Sequence, residues 1–305
     1  MIKKIWHHVP YDLRVKIANS IFMKVIMEFY RFSKKKAVIN ELKEDPHNQE
    51  YIEIIEYLRN NKLAVFPYNF VKECVNQCVN TFYEDGFYYV VYVNPFNGKT
   101  HKIFAPKEWK QKKIVKYFTE IFYEQNRLSP HCYFQKTTED TFNEKIVADL
   151  GAAEGIFSIS IVDFVKKIYL FECDSIWIEP LRRTFSEYRD KIEIVQKYVG
   201  NKNENNITSI DSFFDNKDID VIKADIEGSE IDMLEGCDLS LDKIETVLIA
   251  AYHKHEDEKR FSEIFKNKGY CVSSTDGYMI PWLLPLEFKK PYVRRGLLIA
   301  RKELR

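Results

Sequence analysis

The chain has 305 residues, enough for one large domain or for a catalytic domain with a smaller companion. Apolar residues make up 45% and aromatics 15%, so a sizeable core can be buried and extensive disorder is excluded. Forty-six basic residues balance forty-six acidic ones, which argues against a nucleic-acid partner.

Residues 1–62 read as two helices. The first carries Ile17, Ile21, Phe22, Val25, Ile26 and Phe29 at helical spacing. Asp12, Arg14, Lys16, Lys24 and Glu28 interrupt it, so no uncharged run long enough to span a membrane exists there or elsewhere. This stripe is expected to pack on its own protein. The second helix holds Tyr51, Ile54, Ile55 and Leu58. A helical piece is expected around Val71–Phe82. Phe87–Val93 and Lys99–Phe104 are rich in strand formers and flank Asn94-Pro95-Phe96-Asn97-Gly98, which predicts a hairpin with a longer loop. Trp109–Asn126 returns to helical periodicity and ends before Ser129-Pro130. Six cysteines (Cys74, Cys78, Cys132, Cys173, Cys237 and Cys271) include no C-x-x-C pair, so neither a disulfide framework nor a zinc site is expected, and a cytoplasmic setting fits.

The texture changes after residue 143. Apolar runs at Lys145–Leu150, Lys167–Glu172, Ile192–Gln196, Asp220–Ala224 and Thr246–Tyr252 alternate with amphipathic stretches. Gly269–Ser273 and Arg295–Arg301 supply two further strands. Such alternation means βαβ units and a mostly parallel, buried sheet. The chain is therefore divided into residues 1–142, helical with a hairpin and suited to an accessory or acceptor-recognition role, and residues 143–305, the catalytic part.

The first of these strands runs into Asp149-Leu150-Gly151-Ala152-Ala153-Glu154-Gly155, followed by Ile156-Phe157-Ser158. A glycine at 151 permits a tight turn and close approach of a ligand to the backbone. Glu172 ends the next strand, 23 positions after Asp149. An acid at about 20 residues is the spacing from which a carboxylate holds both ribose hydroxyls. A dinucleotide would need a pyrophosphate cradle, but Ala153 replaces the second glycine and Glu154 puts a negative charge where phosphate would sit. A nucleoside without phosphates fits better, and S-adenosylmethionine is one. The expected cofactor residues are Asp149, Gly151, Ala152, Glu154, Gly155, Phe157, Glu172, Cys173 and Asp225.

The fourth strand ends Asp220-Val221-Ile222-Lys223-Ala224-Asp225-Ile226-Glu227-Gly228-Ser229-Glu230, then Met233-Leu234-Glu235-Gly236. The pattern D-x-I-K-x-D-I-E-G-x-E-x-x-x-L-x-G resembles the hallmark of FkbM-type methyltransferases. V-A-D-L-G-A-A-E-G-I-F-S at 147–158 resembles their first motif, and Ile207–Phe213 the segment before their fourth strand. Glu124-Gln125, Ser129-Pro130-His131 and Tyr133, with Tyr252-His253-Lys254, are similar to a bacterial subgroup. Where the family often has proline after the second-strand acid, this chain has Cys173-Asp174.

The resemblance covers roughly residues 120–301. It implies a Rossmann-like class I methyltransferase: an α/β fold, with a mostly parallel seven-stranded sheet and helices on both faces, preceded by a smaller helical/α+β N-terminal region. It also implies S-adenosylmethionine as cofactor, S-adenosylhomocysteine as product, and O-methylation of a sugar, polysaccharide precursor or other small-metabolite hydroxyl. The expected partner is thus a small-molecule or glycan acceptor.

Methyl transfer needs an aligned nucleophile, a dry site and, for a hydroxyl, a base. Asp225, Glu227 and His253 fall at strand ends, where such groups gather. His253 is the expected general base, with Glu227 orienting it and Asp225 contacting the cofactor or acceptor. Ser129 and His131 are expected to line the acceptor pocket. His253, His255 and Asp257 could bind a metal together with Asp225 or Glu227, but they would diverge where a strand runs into a helix, so no metal is expected. Asn94-Pro95-Phe96 lies far too early for the methyltransferase motif it superficially matches, and reads as a hairpin loop. The rival readings are an NAD-dependent oxidoreductase, which lacks its pyrophosphate turn, and a non-catalytic methyltransferase-like binding module.

Overall fold

The computed structural model describes residues 21–75, 79–283 and 288–302. The expected positions of Ile17 and Cys78 lie outside them, and the side chains of residues 21–27 are likewise not described.

Helices α1 (Ile21–Leu42) and α2 (Gln49–Asn60) open the described chain. Asn48 caps α2, its side chain accepting from the backbone N–H groups of Glu50 and Tyr51. Val38 and Leu42 of α1 and Ile54, Ile55 and Leu58 of α2 share a core with Met279, Ile280, Trp282 and Val293 from far along the chain. A forked ion pair from Arg295 to both Glu50 oxygens, 2.8 and 2.9 Å, fixes that docking.

The helical piece expected around Val71–Phe82 is shorter: α3 covers Phe70–Val75. Thr81–Glu84 is instead strand β1, paired antiparallel with β2 (Phe87–Val93). The two-residue turn Asp85-Gly86 joins them, both residues with positive φ, 47° and 85°. That dipeptide is a strong hairpin signal. β3 (Thr100–Phe104) pairs with β2 across the expected 94–98 loop, so the expected hairpin is part of a three-stranded sheet. Helix α4 (Gln111–Glu124) follows, burying Ile114 and Phe118.

The second half alternates strand and helix. Its elements are β4 (Ile146–Leu150), α5 (Ile156–Ile161), β5 (Lys167–Phe171), α6 (Ser175–Thr184), β6 (Ile192–Val195), a two-residue pair β7 (Tyr198–Val199) and β8 (Ile207–Thr208), α7 (Ile210–Phe213), β9 (Val221–Ala224), α8 (Glu230–Glu235), β10 (Thr246–Ala250), α9 (Asp257–Asn267), β11 (Tyr270–Ser274) and β12 (Leu297–Lys302). All seven expected strands join one sheet in the order β11-β12-β10-β9-β4-β5-β6. Its strands are parallel except β12, which runs antiparallel to both neighbours. This is the expected Rossmann-like α/β fold with a smaller N-terminal region.

Strand alternation sends successive side chains to opposite faces. Val147, Ile168, Leu170, Val221 and Leu248 join one core, which also holds Val90 and Ile103 of the small sheet, Ile114 and Phe118 of α4, and Ile156 and Phe157 of α5. Ala148, Tyr169, Phe171, Ile222, Val247 and Ile249 join the other, with Met233 and Leu234 of α8 and Phe261 and Phe265 of α9. Both faces of the sheet are therefore covered, which is why its strands read as continuous apolar runs.

Candidate functional site

The chain passes from β4 to β5 on one side and later returns to β9 on the other. The carboxyl end of β4 is thus a switch point, where a crevice opens. A cleft of about 340 Å³ lies there, lined by Gly151, Ala153, Phe171, Glu172, Cys173, Lys197, Tyr198, Val199, Asp225, Ile226, Glu227 and Ser229.

Its floor is a tight turn. The N–H groups of Gly151 and Ala152 donate to the Phe171 carbonyl (3.0 and 3.1 Å), tying β4 to β5. Gly151 has φ 75°, and a Cβ there would stand 2.0 Å from the Asp225 carbonyl oxygen. The close approach that demands glycine is thus made by the neighbouring strand's backbone. Gly155, φ 82°, is required by packing too, since a Cβ would meet Phe185 and Leu181.

Glu172 stands in the cleft wall. Its two carboxylate oxygens accept from the N–H groups of Ala153 (2.8 Å) and Asp174 (2.7 Å). These bonds fix the carboxylate and leave each oxygen further lone pairs. Burial raises its pKa, partly offset by those two bonds.

Asp149 sits fully buried behind the turn. Its Oδ1 is 2.9 Å from Lys223 Nζ, and its Oδ2 accepts from Ser158 Oγ at 2.7 Å. Lys223 also donates to the carbonyls of Gly151 (2.7 Å) and Leu150 (3.3 Å). Lys223 is therefore the ion-pair partner of Asp149.

Of the expected cofactor residues, Gly151, Glu172, Cys173 and Asp225 line the cleft, whereas Asp149, Ala152, Glu154, Gly155 and Phe157 do not. Phe157 stacks on Phe134 (centroids 5.5 Å apart) and meets Tyr133 and Phe142 edge-on, so it is core. Glu154 turns toward α4 and accepts from Tyr117 Oη at 2.7 Å. Burial lifts its pKa to about 7, against the pull of that bond and of Lys223. An acid with a raised folded-state pKa binds more protons folded than unfolded, so stability falls as pH climbs from about 4.5 through about 7. Glu154→Gln should remove that fall and leave the protein on the order of 3 kcal/mol more stable above pH 8. Urea unfolding at pH 6 and pH 8.5 checks this; an unchanged pH slope would contradict it.

Asp225 is the hub of a second group of side chains. Its Oδ2 accepts from Tyr133 Oη (2.9 Å) and lies 3.3 Å from His131 Nε2. His131 Nδ1 is in turn 2.6 Å from Glu124 Oε1. Burial opposes a charge on His131, yet Glu124 and Asp225 outweigh it and push its pKa up to about 10. Burial would also raise Asp225, but the bond from His131 and the charges of both histidines and Lys223 hold it well below the usual carboxylate range. His131, 1% exposed, stands behind Asp225 and does not line the cleft. Ser129 is fully buried, its Oγ accepting from the His131 N–H to shape that turn. Both differ from the expected acceptor-lining role, because the turn at 129–135 packs into the core.

On the other side of Asp225, His253 Nε2 is 3.6 Å from Oδ1 and 3.7 Å from Glu227 Oε2, while Nδ1 is 3.0 Å from Glu230 Oε1. Burial disfavours a charge on this ring, but the bond to Glu230 and the nearby acids raise its pKa. Glu227 has φ 55° and Gly228 φ 95°, a left-handed pair that turns the chain sharply and leaves the Glu227 side chain 91% exposed at the cleft. A non-glycine residue held there stores strain, which concentrates at functional turns. Glu230 Oε1 fixes this turn by accepting from the N–H groups of Ile226 (3.0 Å) and Gly228 (3.3 Å). His255 and Asp257 turn away, the first toward Glu256 and Lys290, the second to the Lys254 N–H.

The expected trio Asp225, Glu227 and His253 is thus brought together beside the cleft. Glu124, Tyr133, Lys223 and Glu230 belong with it but were given no role from sequence. Glu230 stands inside the D-I-E-G-x-E element, which was signal enough to find it. A larger groove of about 750 Å³ lies between the small sheet and α6. Its ion pairs Lys102–Glu84, Arg182–Glu179 and Arg183–Glu179 are mutual, and nothing in it converges as the Asp225 cluster does.

Residues 179–284 match the family model described as the methyltransferase FkbM domain, a stretch running from α6 past β11 and containing the whole Asp220–Glu230 element. No curated protein matches the sequence. Among solved structures, the chain is similar to methyltransferase FkbM from Methylobacillus flagellatus KT, at 18% identity and TM-score 0.39, over 64% of this chain and 56% of that one. It thus spans little more than half the length of that protein. It is also similar to a precorrin-6y C5,15-methyltransferase from Geobacter metallireducens GS-15, at 12% identity, TM-score 0.37, over 65% and 94% of the two chains. A Streptococcus mutans protein solved in complex with SAH is similar at 10% identity, TM-score 0.37, over 54% and 95%.

Proposed function

We propose, on the premise that this chain belongs to the FkbM methyltransferase family, that it transfers a methyl group from S-adenosylmethionine to a hydroxyl of a small-molecule or glycan acceptor. The observation that carries this reading is the cleft at the β4 switch point. Glu172, locked by two backbone N–H groups, stands in its wall, and Asp225 and Glu227 stand opposite. Such a cleft suits a nucleoside whose sugar offers two hydroxyls and whose reacting group is a cation; three carboxylates repel a pyrophosphate. The oxidoreductase alternative gains nothing from this arrangement, nor does the non-catalytic module.

When bound, the cofactor supplies an electrophilic methyl on a sulfonium, whose carbon–sulfur bond breaks with its electron pair going to sulfur. The protein's own part is to hold Glu172 against the ribose, to keep Asp225 charged through His131 and Tyr133, and to place Glu227 and His253 beside an incoming hydroxyl. His253 in its neutral form takes the hydroxyl proton. In this reading α4 and the 129–135 turn of residues 1–142 hold Asp225 from behind, through Glu124, His131 and Tyr133. No described helix is long and apolar enough to cross a membrane.

Calorimetric titration of S-adenosylhomocysteine tests the cofactor assignment. Glu172→Ala should weaken binding at least tenfold, the loss of a charged partner to two hydroxyls. Equal affinity in wild type and Glu172→Ala would overturn it.

A further inference from the structure

We infer that Asp225, Glu230 and His253 form a binding site for one divalent cation of the Mn²⁺ or Zn²⁺ type, beside the proposed methyl-transfer cleft. Each of these residues offers one ligand atom, and the three atoms lie within 4.8 Å of one another. Two further observations point to a ligand between them. His253 is 7% exposed, and its Nε2 has no hydrogen-bond partner; Asp225 Oδ1 is buried and has none either. These two atoms face each other at 3.6 Å, too far for a good hydrogen bond. Two ligands about 2.1 Å from a common cation sit roughly 3.0–3.5 Å apart, which is nearly this separation.

The division of labour on Asp225 supports the same conclusion. Oδ2 is engaged by Tyr133 and His131 on the core side, which leaves Oδ1 aimed at His253. One imidazole with two carboxylates is a donor set suited to Mn²⁺ or Zn²⁺. Glu227, exposed and 3.7 Å from His253 Nε2, stands over the open side.

His255 and Asp257 do diverge from His253, as expected, while Asp225 stays beside it and Glu230 is the donor not expected from sequence. The cation's role rests on the methyl-transfer reading, although its binding does not. A cation seated there would occupy His253 as a ligand and would polarise an acceptor hydroxyl; Glu227 would then take the hydroxyl proton, the oxygen's electron pair would form the bond to the methyl carbon, and the methyl–sulfur pair would leave with sulfur.

The test uses the full chain treated with EDTA and then dialysed. Electron paramagnetic resonance with MnCl₂ should show one Mn²⁺ bound per chain. His253→Ala should weaken it at least tenfold, and so should Glu230→Gln, which keeps an acceptor for the Ile226 and Gly228 N–H groups. S-adenosylhomocysteine affinity should survive in His253→Ala. No Mn²⁺ bound by wild type, or binding unchanged in both variants, overturns the cation site and leaves the methyltransferase reading intact. Cation binding without adenosyl binding overturns the latter alone.

Discussion

Lys223→Met is expected to destabilise the protein by roughly 3–5 kcal/mol, the cost of leaving one partner of a buried ion pair unpaired. Lys223 and Asp149 face each other in register on adjacent strands β9 and β4, and neither reaches solvent. Without the ammonium, Asp149 keeps only the Ser158 hydroxyl, and the carbonyls of Leu150 and Gly151 lose their donor. The melting temperature should fall by roughly 10 °C for a chain of this size. The double variant Lys223→Met, Asp149→Leu should recover much of the loss, because it removes the stranded charge along with its partner. A single variant within 1 kcal/mol of wild type would show that the pair is not what holds the two strand ends together.

Gly151→Ala is expected to cost about as much for a different reason, and to disable the site as well. The new Cβ would lie 2.0 Å from the Asp225 carbonyl, so the ends of β4 and β9 must separate. Left-handed backbone adds about 1 kcal/mol and the overlap roughly 1–3 more. Gly86→Ala is the control. Its φ is 85°, yet nothing lies within 4 Å of the added Cβ, so it should lose about 1 kcal/mol only. Denaturant unfolding of both variants, with adenosyl binding measured alongside, separates strain from steric overlap. Equal losses for the two would contradict the role assigned to the Asp225 contact.

Much of this was legible in the sequence because the signals are local. A strand buried on both faces announces itself as an apolar run, and all seven runs became strands of one sheet. Glu172 and Asp225 were placed by position alone, since acids at strand ends fall where the crevice must open. What escaped is what depends on register and on distant segments. The Asp149–Lys223 pair exists because β4 aligns Asp149 with Lys223, which no spacing rule reveals. His131 meets Asp225 only because the 129–135 turn packs into the core beneath β9's end. Glu154 and Phe157 were assigned to the cofactor from their motif, but the turn aims one at Tyr117 and the other at Phe134. The strand at Thr81–Glu84 was missed although Asp85-Gly86 marks its turn.

The central claim is that the β4 cleft is an adenosyl site, and thermal melting of the wild-type chain with S-adenosylmethionine, S-adenosylhomocysteine or NAD tests it most directly. Ligand at about 100 times its Kd adds roughly 2.7 kcal/mol, a shift of several degrees. The account predicts that shift with the two adenosyl ligands and none with NAD. A shift with NAD alone, or no shift with either adenosyl ligand, would contradict it.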